Sequence, residues 1–280
     1  MKIAIASGKG GTGKTTIATN LAFVIAERGE PVQYLDCDVE EPNGHIFLRP
    51  DIRLTEPATV AVPEVDLSRC SDCGKCGRIC QYSAIVPLNG KVLTFEQLCH
   101  SCGGCVLVCP QKAIREKRKT IGYVDEGVSG GVMFVQGRLE IGDVRTPALI
   151  RQVKRKIDSQ AVAIMDAPPG TTCPVIEAVR DEDFVLLVTE PTPFGLHDLK
   201  LAVEMVKKLK RAFAAVINRS NIGDDRVHRY CREEGIDIVM ELPDDRKIAE
   251  AYSSGRMIAE AVPDYKHCFE QLAHALEVRK

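Results

Sequence analysis

The stretch Gly8-Lys9-Gly10-Gly11-Thr12-Gly13-Lys14-Thr15 constrains this chain more than any other, because it satisfies G-x-x-x-x-G-K-[ST] in a telling context. Ile3 to Ala6, before it, reads as a short buried strand. Thr15 to Arg28, after it, reads as a helix with Ile17, Leu21, Val24 and Ile25 on one face and Gly29 as the stop. Val32 to Leu35 is a second strand, running into Asp36-Cys37-Asp38. Strand, loop, helix and strand in that order open a parallel sheet. The glycines of such a loop let successive backbone N–H groups turn inward around an anion, and the following helix adds its positive dipole end. Gly8, Gly10, Gly11, Thr12 and Gly13 would form the cradle, with Thr16 closing it. Lys14 would reach the β- and γ-phosphates of a nucleotide, and the Thr15 hydroxyl would bind Mg²⁺.

The α/β pattern breaks near residue 60 and returns after residue 118. Later strands are expected at 162–165, ending at Asp166, at 184–189, at 214–217, ending at Asn218, and at 237–240. Helices are expected at 147–157, 196–209, 227–234 and 265–278. Neither flank is a complete sheet, so the middle is an insertion. The expected domains are residues 1–60 and 119–280, two parts of one α/β domain, with 61–118 inserted between them.

That insertion holds eight of the twelve cysteines. Cys70, Cys73, Cys76 and Cys80 form C-x2-C-x2-C-x3-C. Cys99, Cys102, Cys105 and Cys109 repeat it at a constant offset of 29, and the match continues from Ala84-Ile85 to Ala113-Ile114. Three thiolates spaced by two residues can wrap three corners of an iron–sulfur cube, while the fourth cysteine of each run reaches the other cube. Cys70, Cys73, Cys76 and Cys109 are therefore expected to hold one [4Fe-4S] cluster, and Cys99, Cys102, Cys105 and Cys80 the second. Zinc is the rival for C-x2-C pairs, but the duplicated 2-2-3 spacing is better explained by two cubes. Gln81 stands where the motif usually has the proline that follows Cys109. The expected fold is thus a P-loop NTPase of α/β class, mostly parallel with helices on both sheet faces, carrying an inserted two-cluster ferredoxin-like α+β module.

Lys9, just after the first glycine, makes the loop resemble the deviant Walker A loop of the MinD, ParA, Mrp and nitrogenase iron-protein group. With the eight cysteines, the whole chain resembles the MinD-superfamily P-loop ATPases that contain an inserted ferredoxin domain. Asp166 to Thr171, Thr189-Glu190-Pro191-Thr192-Pro193 and His197-Asp198 add to the likeness. The resemblance implies ATP as the nucleotide, ATP hydrolysis, and a nucleotide-dependent homodimer in which Lys9 contacts nucleotide across the interface. It also implies that Asp38 orients the attacking water, that Asp166 holds a Mg²⁺-bound water, that the Gly170 N–H senses the γ-phosphate and that Asn218 recognises adenine. By simple geometry, a strand-terminal carboxylate such as Asp36 or Asp166 also suits a helix N-cap.

Cys173 lies seven residues after Asp166 and by that spacing resembles the switch cysteine of the nitrogenase iron protein. No second cysteine stands between Lys112 and Asp166, so it is either packed in the switch region or an extra redox or cluster site. Cys37, Cys231 and Cys268 read as core or surface thiols. The C-terminal helix, with Phe269, Leu272 and Leu276 on one face, reads as core packing.

The formal net charge of -2 gives no reason to expect nucleic acid or an anionic membrane as partner. No run approaches the roughly 20 apolar residues that span a bilayer, and the expected location is the cytoplasm. Two functions compete: ATP-gated electron transfer to a client protein, and ATP-dependent delivery or maturation of a metallocluster. A ParA- or MinD-like positioning role is a third.

Overall fold

The fold is that of a computed structural model, which describes residues 1–279. In chain order, β1 (Lys2–Ala6) leads through the glycine loop into α1 (Lys14–Glu27), and β2 (Val32–Asp36) leads into the short α2 (Gly44–Leu48). β3 (Asp51–Val65) then leaves the core. The cysteine segment contributes α3 (Lys75–Ile79), the hairpin β4 (Ile85–Leu88) and β5 (Lys91–Thr94), and α4 (Gly104–Leu107). β6 (Ile114–Ser129) returns beside β3 and turns into β7 (Val132–Leu139). The alternation continues with α5 (Thr146–Lys154), β8 (Val162–Asp166), α6 (Cys173–Val179), β9 (Phe184–Thr189) and α7 (Pro193–Lys208). β10 (Ala212–Asn218), α8 (Arg226–Glu233), β11 (Ile238–Leu242), α9 (Arg246–Ser253), α10 (Ile258–Ala261) and α11 (Lys266–Glu277) complete it.

One sheet runs β11-β10-β9-β1-β8-β2-β7-β6-β3. It is parallel from β11 to β7, and β6 and β3 are antiparallel additions at one edge. Strands covered on both faces should be apolar throughout; β9 is, apart from Thr189, and every residue of it is buried, whereas β2 is equally buried but carries Gln33 and Asp36. Ile17, Leu21 and Phe269 pack on one face. Leu149, Val175, Leu199 and Val227 pack on the other.

β3 and β6 form a long ribbon, paired from Asp51↔Val128 to Val65↔Ile114. Positions 61 and 118 fall inside these two strands, and the compact cysteine-bearing part lies beyond the last pair. The sequence repeat recurs in its backbone. Gly74 and Gly103 cap α3 and α4 with φ of 69° and 70°, and Asp72 and Ser101 share φ of 53° and 54°. The C-terminal helix α11 buries Phe269, Leu272 and Leu276 as core packing. Among the described residues no helix is long and apolar enough to cross a membrane.

Candidate functional site

The glycine loop emerges from β1 at the centre of the sheet, between β8 and β9, where open parallel sheets form their crevice. α1 is capped by Gly13 at φ 95° with no side-chain hydrogen bond. Its first N–H groups are therefore free for an anion. A Cβ on Gly13 would meet the Asn218 side chain at 2.5 Å, and one on Gly8 would meet the Asp198 carbonyl oxygen at 2.2 Å. Only glycine lets the loop approach both.

A cavity of about 460 Å³ opens over this loop. Gly10, Gly11, Gly13, Lys14, Thr15 and Thr16 line one end, with Asp38 beside them. Asn218, Leu242, Ile248 and Tyr252 are also in its lining. Asn218 Nδ2 donates to the Thr12 carbonyl at 2.9 Å, which ties the end of β10 to the loop. Burial lowers the Lys14 pKa, against the opposing pull of Asp166 and Asp38.

Asp166 and Asp36 end adjacent strands in register, and both are buried. Tyr34 donates to Asp166 Oδ2 at 3.0 Å. Asp166 Oδ1 and the Thr12 hydroxyl are buried without a hydrogen-bond partner among the described residues. An orphaned carboxylate oxygen next to Thr15 and Lys14 suits a hydrated Mg²⁺ and the phosphates it bridges. Burial raises the Asp166 pKa, while the Thr15 hydroxyl and Lys14 favour its charged form. Asp36 is raised by burial and by Asp166. Its carboxylate accepts the backbone N–H of Gly44 at 2.9 Å, at the start of α2, and that of Asp38 at 3.2 Å. Asp36 thus holds a turn and a helix start, the plainer of its two roles. Asp38 is lifted to about 6, first by burial and then by Asp166.

Two expected residues are occupied within the chain. Lys9 Nζ lies 3.5 Å from Glu190 Oε2, and Glu190 also pairs with Arg219 at 2.7 Å. The Gly170 N–H donates to the Ser7 carbonyl at 3.0 Å. Tyr34 and Glu190 are site-forming residues that motif reading missed. Glu190 had a signal in the quoted Thr189–Pro193 segment, while Tyr34 had none.

The eight run cysteines divide between two further pockets. Cys70, Cys73, Cys76 and Cys109 line one. Cys80, Cys99, Cys102 and Cys105 line the other. Each pocket takes three cysteines from one run and the last from the other. Ala84 N–H donates to Cys80 Sγ at 3.3 Å, and Ala113 N–H to Cys109 Sγ at 3.2 Å. Burial raises the Cys76 and Cys105 pKa values, and the Lys75 N–H lowers that of Cys73. Among the described residues no three His, Cys, Asp or Glu side chains converge tightly enough for one metal ion. Each cysteine set rings a pocket instead of meeting at a point. Cys37 and Cys231 are buried, Cys268 is half-buried, and Cys173 is exposed.

α5 ties these parts together. The Thr146 hydroxyl donates to Glu40 Oε1 at 2.6 Å, two residues past Asp38. Arg151 pairs with Glu177 of α6 at 2.9 Å. Arg145, just before the helix, donates to the Glu96 carbonyl of the cysteine segment at 3.3 Å.

The fold and its glycine loop define an α/β P-loop nucleotide-binding protein. The chain belongs to the family described as CobQ/CobB/MinD/ParA nucleotide binding domain, whose pattern matches residues 3–258. It is 30% identical to an uncharacterized protein of Methanocaldococcus jannaschii, over 98% of this chain and 97% of that one. It is 27% identical to the iron-sulfur cluster carrier protein of Pyrococcus horikoshii, over 98% of this chain and 85% of that one. Among solved structures, the cell division ATPase MinD of Pyrococcus furiosus has the same fold, with a TM-score of 0.60 at 23% identity over 100% of this chain and 99% of that one. Membership supports ATP hydrolysis as the general kind of activity.

Proposed function

We propose that this chain is an ATP-hydrolysing iron–sulfur protein in which a nucleotide-dependent homodimer is coupled to two [4Fe-4S] clusters in an inserted ferredoxin-like module. One observation carries the cluster half: two pockets, each lined by a crossed set of four cysteines. The residues fit the group, because four thiolates spread around a pocket, instead of converging on one point, suit a cube better than a single zinc ion. When bound, such clusters store and pass one electron each.

At the nucleotide end, the free N–H groups of α1 and Lys14 would bind the phosphates, Thr15 and Asp166 would hold Mg²⁺, which would neutralise phosphate charge, and Asp38 would orient the attacking water. Asn218 and the wall ending at Tyr252 take the base. Gly170 must leave Ser7, and Lys9 must leave Glu190, before they can meet a γ-phosphate. Those two releases are the switch. The route to the clusters is α5, which contacts the segment after Asp38, α6 and the cysteine segment together.

The purpose of the switch divides into ATP-gated electron transfer and metallocluster delivery to a client. Relatives named as iron-sulfur cluster carrier proteins favour delivery. The test is protein purified without oxygen, expected to hold about eight irons and eight sulfides per chain. Lys14→Ala should lower ATP hydrolysis by more than about a hundredfold and leave the iron count unchanged. Faster iron transfer to an apo-acceptor with ATP supports delivery. An ATP effect only on the rate of electron transfer supports gating instead. Four or fewer irons would overturn the two-cluster reading.

A further inference from the structure

Residues two apart on a strand project to the same side, so Tyr34 and Asp36 share a face of β2. Asp166 stands in register opposite Asp36 on β8. The Tyr34 side chain runs along that face to the strand ends, where its hydroxyl lies 3.0 Å from Asp166 Oδ2 and 3.5 Å from Asp36 Oδ2. A phenol has one proton to give. Asp36 Oδ2 already accepts the Gly44 N–H at 2.9 Å, so the nearer Asp166 receives it. The hydroxyl is fixed in that place. Tyr34 is fully buried, and its ring stacks on Phe134 with centroids 5.7 Å apart. A Cβ on Gly44, at the start of α2, would collide with the phenol oxygen.

The last torsion of an aspartate is broad and two-fold, so an untethered carboxylate turns easily. Here Oδ2 is tied to Tyr34. The other oxygen, Oδ1, is buried without a hydrogen-bond partner, in a carboxylate that feels the Thr15 hydroxyl and Lys14. We infer that Tyr34 is a positioning residue for the metal end of the nucleotide site: by holding Asp166 Oδ2 it presents Oδ1 to Mg²⁺. The inference rests on the assignment of Asp166 to Mg²⁺ made above. The nucleotide cavity is lined without Tyr34, so the hydroxyl acts through Asp166. Removing a group that orients a metal-holding side chain typically costs ten- to a hundredfold in metal affinity.

The test uses full-length protein isolated with its iron and methylanthraniloyl-ADP as a fluorescent probe, in EDTA and across a range of Mg²⁺ concentrations. Tyr34→Phe keeps the ring and its stacking on Phe134 and deletes only the hydroxyl. It should raise by about tenfold the Mg²⁺ concentration that gives half of the Mg²⁺-dependent gain in probe affinity. Probe affinity in EDTA should stay unchanged. The Mg²⁺ concentration for half-maximal ATP hydrolysis should rise by the same factor. Asp166→Asn, run beside it, should raise the midpoint at least as far. A midpoint moved by Asp166→Asn and unmoved by Tyr34→Phe would overturn this inference alone. A midpoint unmoved by both would overturn the Asp166 assignment and this inference with it. Equal losses of probe affinity in EDTA and in Mg²⁺ would make Tyr34 a packing residue and overturn the inference as well.

Discussion

Asp38 stands in the nucleotide cavity with its carboxyl lifted to about 6 by burial and by the neighbouring Asp166. In the unfolded chain it would titrate near the ordinary aspartate value, about 3.9. Between these values the folded protein binds more protons than the unfolded one, so stability falls as pH rises through the window. Asp38→Asn should therefore stabilise the nucleotide-free protein at pH 7.5 by about 1–2 kcal/mol, with the gain fading as pH drops from about 6 to about 4. Thermal unfolding across pH reads this directly. The same variant should lose ATP hydrolysis, because an amide orients water differently and carries no charge. A stability gain joined to lost activity is the mark of a strained functional carboxylate. Lys14, Thr15, Asp38 and Asp166 were legible in the sequence because each sits at a fixed step from a strand end. Tyr34 was not, since its partner Asp166 is 132 residues away and only the sheet brings them together.

Among elements, the short helices α3 and α4 each deliver the end of one cysteine run toward the opposite pocket. Cys109→Ser should thus cost iron from the pocket of Cys70, Cys73 and Cys76, leaving the set of Cys99, Cys102, Cys105 and Cys80 loaded. Iron analysis with electron paramagnetic resonance of the reduced protein distinguishes the two sites, and full assembly of both clusters would refute the crossed scheme. The parallel strands β1, β2, β8, β9, β10 and β11 and the helices α1, α5, α7, α8 and α11 were readable from apolar runs and periodicity, whereas β7, α6 and α9 were not. Nor were β3 and β6. β3 contains Pro57 and Pro63, which argue against a central strand, but it is the outermost strand and tolerates their missing N–H groups. β6 begins Ile114-Arg115-Glu116-Lys117-Arg118-Lys119 on an exposed ribbon, so it has no apolar alternation to read.

For the whole molecule, the single chain keeps Lys9 in its own Glu190 pair. At 3.5 Å, with the lysine more than a third exposed, that pair holds it weakly. Releasing it toward a partner protomer's phosphate therefore opposes dimerisation only slightly. Light scattering of the hydrolysis-deficient Asp38→Asn protein should give a doubled mass with ATP and Mg²⁺ and a single-chain mass with ADP. Adding Lys9→Ala should keep it single with either nucleotide. A single-chain mass with ATP in Asp38→Asn would remove the homodimer from the proposal. Neither the dimer nor the client can be read from one chain, because both surfaces acquire meaning only against a second molecule.

The ribbon has a consequence for how the protein is made. Val65 and Ile114 face one another as its last pair, so the cysteine-rich excursion begins and ends at neighbouring points already fixed by the sheet. The entropy of closing that long loop is met by strand pairing and not by metal. A newly synthesised chain can therefore complete its nucleotide-binding core first and accept iron and sulfide afterwards. On the proposed reading, metal loading becomes a late, separable stage of biogenesis, and cells short of iron would accumulate a folded nucleotide-binding core with an empty graft, not an unfolded polypeptide.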